Sequence, residues 1–202
     1  MTSPIASDEA LMLEFQRGSR PALDELFYRY KGPLYGFFRR RLDNQERAED
    51  LTQEAFLVVI RSTRRYEALS LFRTYLYGIA LKLVAAERRK QFRGPSSESF
   101  SVNSLSEPMA SQNPDAALWI RQALDKLDES EREILMLREY EQLSYAEISD
   151  VLQIPVNTVR SKLFRSRLAL RNQLEPQPKP LHDSASPIIA THASALPGTS
   201  EA

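Results

Sequence analysis

Residues 143–171 read LSYAEISDVLQIPVNTVRSKLFRSRLALR, and their spacing decides how the C-terminal half folds. Ser144 with Glu147 three residues on has the form of a capping box that starts a helix. Ile148, Val151 and Leu152 follow at helical intervals. Pro155 disfavours helical geometry at Ile154, so this helix ends at Gln153-Ile154-Pro155 and a second begins near Val156. In the second, Val156, Val159, Leu163 and Leu170 fall on one side. Asn157, Arg160, Ser161, Phe164 and Arg165 project from the other, at about 100° per residue. From Val156 the stretch holds five Arg or Lys and no acid. Two short helices, a tight turn and a basic outer face describe a helix-turn-helix, whose second helix enters the major groove of DNA. Arginine suits that place because its fork takes guanine O6 and N7 together. On these residues alone, a solvated face on an ordinary helical hairpin explains the pattern equally well.

Working outward, the 202-residue chain has 27 Lys+Arg and 27 Asp+Glu, yet the charge is unevenly spread. Residues 1–93 hold 17 bases and 12 acids; residues 94–117 hold three acids and no base. Residues 118–150 hold four bases and nine acids; residues 151–172 hold five bases and no acid. Such alternation suits a protein that meets nucleic acid and a protein partner on different surfaces. The absence of cysteine excludes disulfides and thiolate metal sites. No apolar run approaches the roughly 20 residues of a membrane span. The N-terminus, MTSPIASDEA, lacks a signal-peptide core, so a cytoplasmic location is expected.

Residues 8–92 read as consecutive helices. Ser7 or Asp8 caps the first, which carries Leu11, Leu13 and Phe15; Leu23, Leu26 and Phe27 follow the Gly18 break. Pro33 is expected to open another helix with Leu34, Tyr35, Phe37 and Phe38, and Asn44 to cap a long one. Residues 69–92 form a further helical pattern with a basic end, in which Phe72, Leu76, Ile79 and Leu83 make a core stripe. GPSSESFSVNSLSEPMASQNP, from Gly94, reads as a flexible linker. Helices resume near Asp115, with Leu118, Ile120, Ala123, Leu124 and Leu127 offered to a core and Ser130 as the next cap. After Leu174 comes a tail rich in Pro, Ser and Ala that is expected to be disordered; its His182 and His192 are incidental rather than ligands. The fold class is therefore all-α: two small helical domains joined by a flexible linker, the C-terminal one containing the helix-turn-helix. The boundaries fall at 1–93, 94–116, 117–174 and 175–202.

Two further constellations carry chemistry. Glu46, Asp50 and Glu54, spaced i, i+4, i+8, make an acidic stripe, while Leu51, Ala55 and Val58 pack inward. Between residues 66 and 90, aromatics alternate with bases: Tyr66, Phe72, Arg73, Tyr75, Tyr77, Lys82, Arg88, Arg89 and Lys90. Aromatics stack on unpaired bases and Arg or Lys hold phosphate, which is how single strands are captured.

Together these segments resemble the bacterial sigma factors of the extracytoplasmic-function (ECF) group, in the sigma-70 family. Residues 127–171 resemble the promoter-reading C-terminal domain, ERAEDLTQEAFLVVIRS the polymerase-binding helix, and FRTYLYGIALKLVAAERRK the segment that opens and reads the −10 element. The likeness covers nearly all of residues 8–174, in order. It implies a protein that binds core RNA polymerase and holds promoter DNA at two elements, with an anti-sigma factor as a further possible partner. It implies contacts from Asp50, Gln53 and Glu54 to the clamp helices of the largest polymerase subunit. It assigns the −10 element and its melting to Tyr66, Phe72, Arg73, Tyr75, Lys82, Arg88 and Arg89. The −35 element falls to Asn157, Thr158, Arg160, Ser161, Lys162, Phe164 and Arg165. Tyr75 stands where Trp is usual, Lys82 where Asn is common and Ala86 where Asp is common; Gln153 and Asn157 replace glycines near the turn. No cofactor, catalytic group or metal is implied, and no nucleophile-and-base pair or phosphate loop is present. The competing reading is a stand-alone helix-turn-helix regulator, which leaves the acidic stripe and the aromatic-basic helix unexplained.

A nonspecific protease should cut first within residues 95–113, giving two helical fragments on a denaturing gel. Resistance throughout that stretch would refute the division into two domains. Removal of residues 176–202 should leave promoter-directed transcription intact; altered activity would make the tail regulatory.

Overall fold

A computed structural model describes residues 6–42, 44–67, 70–93 and 114–174. The linker and tail expectations for residues 94–113 and 175–202 lie outside the described residues. Eight α-helices account for the fold, with no strand among the described residues. They are α1 (Asp8–Gln16), α2 (Arg20–Arg39), α3 (Gln45–Ser62) and α4 (Phe72–Arg93), then α5 (Pro114–Asp125), α6 (Glu129–Glu139), α7 (Tyr145–Leu152) and α8 (Val156–Leu174). A short 3₁₀ turn, Thr63–Arg65, follows α3.

The caps explain where the helices start. Ser7, Asn44 and Ser144 each accept a backbone N–H from the first turn of α1, α3 and α7, satisfying donors that have no partner inside the helix. At α6 the cap is Asp128, not Ser130. Its carboxylate accepts both the N–H of Ser130 at 3.0 Å and its hydroxyl at 2.7 Å, which draws Ser130 into the first turn. Gly18, at φ 102°, supplies the left-handed residue that turns α1 into α2. Pro33 opens no helix; α2 runs through it. An interior proline costs about 3 kcal/mol, but Leu26, Tyr30, Leu34, Phe37 and Phe38 are buried on both sides of it. Each such side chain recovers about 1.5–3 kcal/mol, so packing outweighs the lost hydrogen bond.

The N-terminal core is aromatic. Phe37, Phe38 and Phe72 are fully buried, and the Phe72 ring meets Tyr30 edge-on at 5.5 Å and Tyr66 at 6.3 Å. The α4 stripe of Phe72, Leu76, Ile79 and Val84 faces this core, with Leu83 half-buried. In the C-terminal half Leu124 and Leu127 join one core with Ile134, Leu137, Val159 and Leu163 of α6 and α8, and Ala123 is buried too. Ile120, expected in this core, is exposed, as are Leu13 and Phe27, because each falls just off the buried arc of its helix. Trp119, the single tryptophan, lies 60% exposed on α5. The two halves are in contact, since α4 packs against α3 on one side and against α7 on another.

Arg47 of α3 ties down the end of α4 by donating to Glu87 at 2.7 Å. That hydrogen bond, followed by the guanidinium charge, holds the Glu87 carboxyl below its ordinary range even though burial opposes ionisation. A carboxylate whose pKa is lower folded than unfolded stabilises above the unfolded value and loses that contribution as pH falls through the folded one. Glu87→Gln should therefore cost about 1.5–3 kcal/mol at neutral pH, measured by urea unfolding. The gap from the parent chain should narrow below about pH 4.5. A gap that stays constant with pH would mean that the charge on Glu87 contributes nothing.

Candidate nucleic-acid and protein interfaces

The turn between α7 and α8 sets the aim of α8. Gln153 occupies the left-handed region at φ 54°, ψ 43°. The Ser149 carbonyl accepts the N–H of both Gln153 and Ile154, and its hydroxyl donates to the Ile154 carbonyl at 2.6 Å. The Gln153 side-chain amide closes on the Asp150 carbonyl at 2.6 Å. The position does demand positive φ, and a non-glycine residue is held there by hydrogen bonds on every side, a local strain offset by its surroundings. Asn157, by contrast, lies within ordinary α-helix. On α7 the capping box is complete: Ser144 Oγ accepts the Glu147 N–H at 3.2 Å, and the Glu147 carboxylate accepts the Ser144 N–H at 2.8 Å.

On α8, Asn157, Arg160, Ser161, Phe164 and Arg165 are all exposed, as the spacing predicts. Phe164 is 70% exposed, an expensive place for an aromatic ring that touches only water. Ser161 is turned back onto the Thr158 carbonyl at 3.0 Å, and Thr158 is half-buried. Lys162 is engaged with the Ser130 hydroxyl at 2.7 Å, and Arg167 with Glu139 at 2.7 Å. Both therefore brace α8 against α6. The outward set reduces to Asn157, Arg160, Phe164 and Arg165.

On α3, Asp50 and Gln53 are exposed and Glu54 is half-exposed. Arg47 lies 3.6 Å from Asp50 and 3.9 Å from Glu54 but spends its best hydrogen bond on Glu87, so the stripe keeps its net negative charge. Sequence reasoning missed the apolar groove beside it. Leu23, Phe27, Phe56, Leu57 and Ile60 line a hollow of about 290 Å³ whose rim includes Gln53. Its signal was Gln53, Leu57 and Ile60, spaced i, i+4, i+7 on one side of α3.

On α4 and at Tyr66 just after the 3₁₀ turn, the aromatic-basic set divides. Tyr66 and Phe72 are buried, so as they stand they shape the core and offer no ring to a base. Burial also pushes the Tyr66 phenol up to about 12. Tyr75 is half-buried, its ring 5.2 Å from that of Tyr66 and its hydroxyl 2.5 Å from that of Ser62. Lys82 and Arg89 are exposed. Arg73 donates to the Glu147 carboxylate at 2.8 Å, and Arg88 pairs with Glu129. Burial opposes ionisation of Glu147, but bonds from Ser144 and then Arg73 hold its carboxyl below the ordinary range. Among the described residues no group of His, Cys, Asp and Glu could hold a metal, and no helix is long and apolar enough to cross a membrane.

Comparison with known proteins matches residues 26–94 to Sigma-70 region 2 and residues 117–170 to Sigma-70, region 4. The RNA polymerase sigma-H factor of Pseudomonas aeruginosa is 33% identical over 182 residues, covering 84% of this chain and 94% of that protein. The ECF RNA polymerase sigma-E factor of Escherichia coli K12 is 33% identical over 187 residues, covering 84% of this chain and 95% of the relative. Among solved structures, CnrH in complex with the cytosolic domain of CnrY superposes with TM-score 0.63 at 21% identity, over 84% of this chain and 97% of that one. Sigma factor RpoE of Bartonella quintana, solved with the anti-sigma factor NepR, gives 0.60 at 20% identity, over 77% and 98%.

Arg165→Ala should weaken duplex binding by about 1–3 kcal/mol and relax preference at one base, as expected of a bidentate contact. Selection from a randomised duplex library checks this. A uniform loss across all sequences would demote Arg165 to a phosphate contact.

Proposed function

The chain belongs to the ECF group of the sigma-70 family, and on that premise we propose how its surfaces divide the work of starting transcription. As a sigma factor it directs transcription initiation. Residues 1–93 bind core polymerase and handle the −10 element, residues 117–174 read the −35 element, and residues 94–116 tether the two. The acidic stripe of Asp50, Gln53 and Glu54, with the apolar groove beside it, docks on basic clamp helices of the largest polymerase subunit. Arg160, Phe164 and Arg165 read base edges, with the Phe164 ring suited to thymine methyl groups. Tyr75, Lys82, Arg88 and Arg89 hold the opened strand, and Arg73 joins them when released from Glu147. The protein works in the cytoplasm, carries out no catalysis itself and takes anti-sigma factors as regulatory partners.

The single observation that carries this reading is the exposed outer face of α8, behind a turn whose geometry aims it outward. A stand-alone regulator accounts for that face but gives no work to the α3 stripe.

Exchange of Asp50 and Glu54 for Lys reverses two charges at one contact, and like charges across an interface cost several kcal/mol. Core-polymerase binding and transcription should collapse. Circular dichroism should stay normal, because exposed substitutions change stability by roughly ±0.5 kcal/mol. Wild-type affinity for core polymerase in the double variant would sink the assignment.

A further inference from the structure

The first turn of α4 carries Arg73 and Tyr75, and its position is set from outside the helix. The Leu71 carbonyl accepts the N–H of Tyr75 at 3.2 Å, so Leu71 occupies the N-cap position. Its side chain has no oxygen with which to cap, and it stands exposed to water. The N–H of Phe72, the first residue of α4, has no acceptor within its own helix. Glu9 of α1 supplies one: its carboxylate accepts that N–H at 2.9 Å. A carboxylate there also meets the positive end of the helix dipole.

At the other end of α1, Gln16 takes hold of the chain on its way from α3 to α4. Its side-chain amide donates to the Thr63 and Tyr66 carbonyls, both at 2.7 Å, which bracket the 3₁₀ turn. Tyr66 is buried, yet its hydroxyl finds no hydrogen-bond partner among the described residues. The backbone bond from Gln16 and the packing of its ring therefore hold it. That ring lies 5.2 Å from the Tyr75 ring, and the Phe72 ring lies 6.4 Å from it. Both rings that pack on Tyr75 thus belong to residues whose backbones α1 grips. The helix α1 is itself fixed, with Leu11 and Met12 buried and Asp8 paired with Arg29 of α2 at 2.6 Å.

We propose that Glu9 and Gln16 are positioning residues for the −10 element, setting where Arg73 and Tyr75 meet the opened strand without touching DNA themselves. The inference rests on the −10 role assigned above to those two side chains. Residues 8–16 lie outside the segment matched to region 2, which begins at residue 26. A group that reads a base discriminates only as finely as its support is rigid. Glu9 and Gln16 supply that rigidity from two ends of one helix. Leu11 and Met12 anchor α1 without them, so loss of either polar group loosens the first turn of α4 and leaves α1 docked.

The test assembles the full-length chain with purified core polymerase, offers a randomised single-stranded DNA library, and sequences the strands retained. The wild-type assembly should enrich one short sequence. Glu9→Ala removes the acceptor, and Gln16→Glu turns a carboxylate on two carbonyls. Each should cut that enrichment about tenfold, the scale of one charge-assisted or two neutral hydrogen bonds. Glu9→Gln keeps an acceptor oxygen and should keep most of the enrichment. Selection from a randomised duplex library, read by α8, should match wild type in every variant. Should Glu9→Ala fail to fold, Glu9→Ala/Leu71→Asp supplies a cap from the chain of α4 itself. That double variant should restore both circular dichroism and strand selection. Wild-type enrichment in Glu9→Ala and Gln16→Glu, an equal fall in strand and duplex selection, or no recovery on adding Leu71→Asp overturns the proposal. A wild-type assembly that selects no strand sequence at all would instead remove the −10 role on which it rests.

Discussion

A guanidinium taken out of water costs several kcal/mol unless its charge is matched and its donors are filled. Arg41 meets that demand with the Glu133 and Glu141 carboxylates, the Phe37 carbonyl at 3.0 Å, and the face of the Phe37 ring at 3.6 Å. The requirement runs in both directions. Glu141 is equally buried, and among the described residues Arg40 and Arg41 pair with it. Neither half can keep its charge dry without the other, so the placement of one half against the other turns on this cluster. Replacement of the cluster by apolar residues of similar volume would tend to strengthen the contact, whereas loss of one member leaves an unmatched charge.

Around that cluster the helices are placed by local devices. Side-chain caps start α1, α3, α6 and α7, and a left-handed residue stops α7, so the direction of α8 is fixed within a few residues of chain. Lys162, Ser166 and Arg167 then fasten α8 to α6, with Ser166 donating to the Glu131 carbonyl at 3.1 Å. The outer side chains consequently sit on a braced support, which a reading helix needs if its contacts are to discriminate between bases.

Local information is what sequence exposes best. Ser144 and Glu147 announced α7, and 3.6-residue spacing separated Val159 and Leu163 from Arg160 and Phe164, because both signals lie within one or two turns of helix. Pro33 misled because its cost was weighed without the aromatic core that α2 gains by continuing. Tyr66 looked like a stacking platform because composition does not say which way a ring points, and Phe72, offered both to a base and to the core stripe, belongs to the core. Gln153 looked out of place where glycine is common, and only the three-dimensional turn shows the hydrogen bonds that hold it. The contact between the halves was invisible for a different reason. Arg41 and Glu141 are a hundred residues apart, and a run such as Phe37-Phe38-Arg39-Arg40-Arg41 gives no hint of which arginine turns inward. Only the uneven spread of charge hinted that the halves were electrostatically matched.

Trp119 has a consequence for how the molecule reports on itself. It is the single indole in the chain, and it stands largely in water on α5, away from the aromatic core of α1–α4. Its emission is therefore blind to most of the structure. Its helix packs on α8, so a partner laid over α5 alters its surroundings directly, whereas a change in the aromatic core reaches it only through other elements. Tryptophan fluorescence in this protein is a gauge of encounters at one helix rather than a thermometer of the fold.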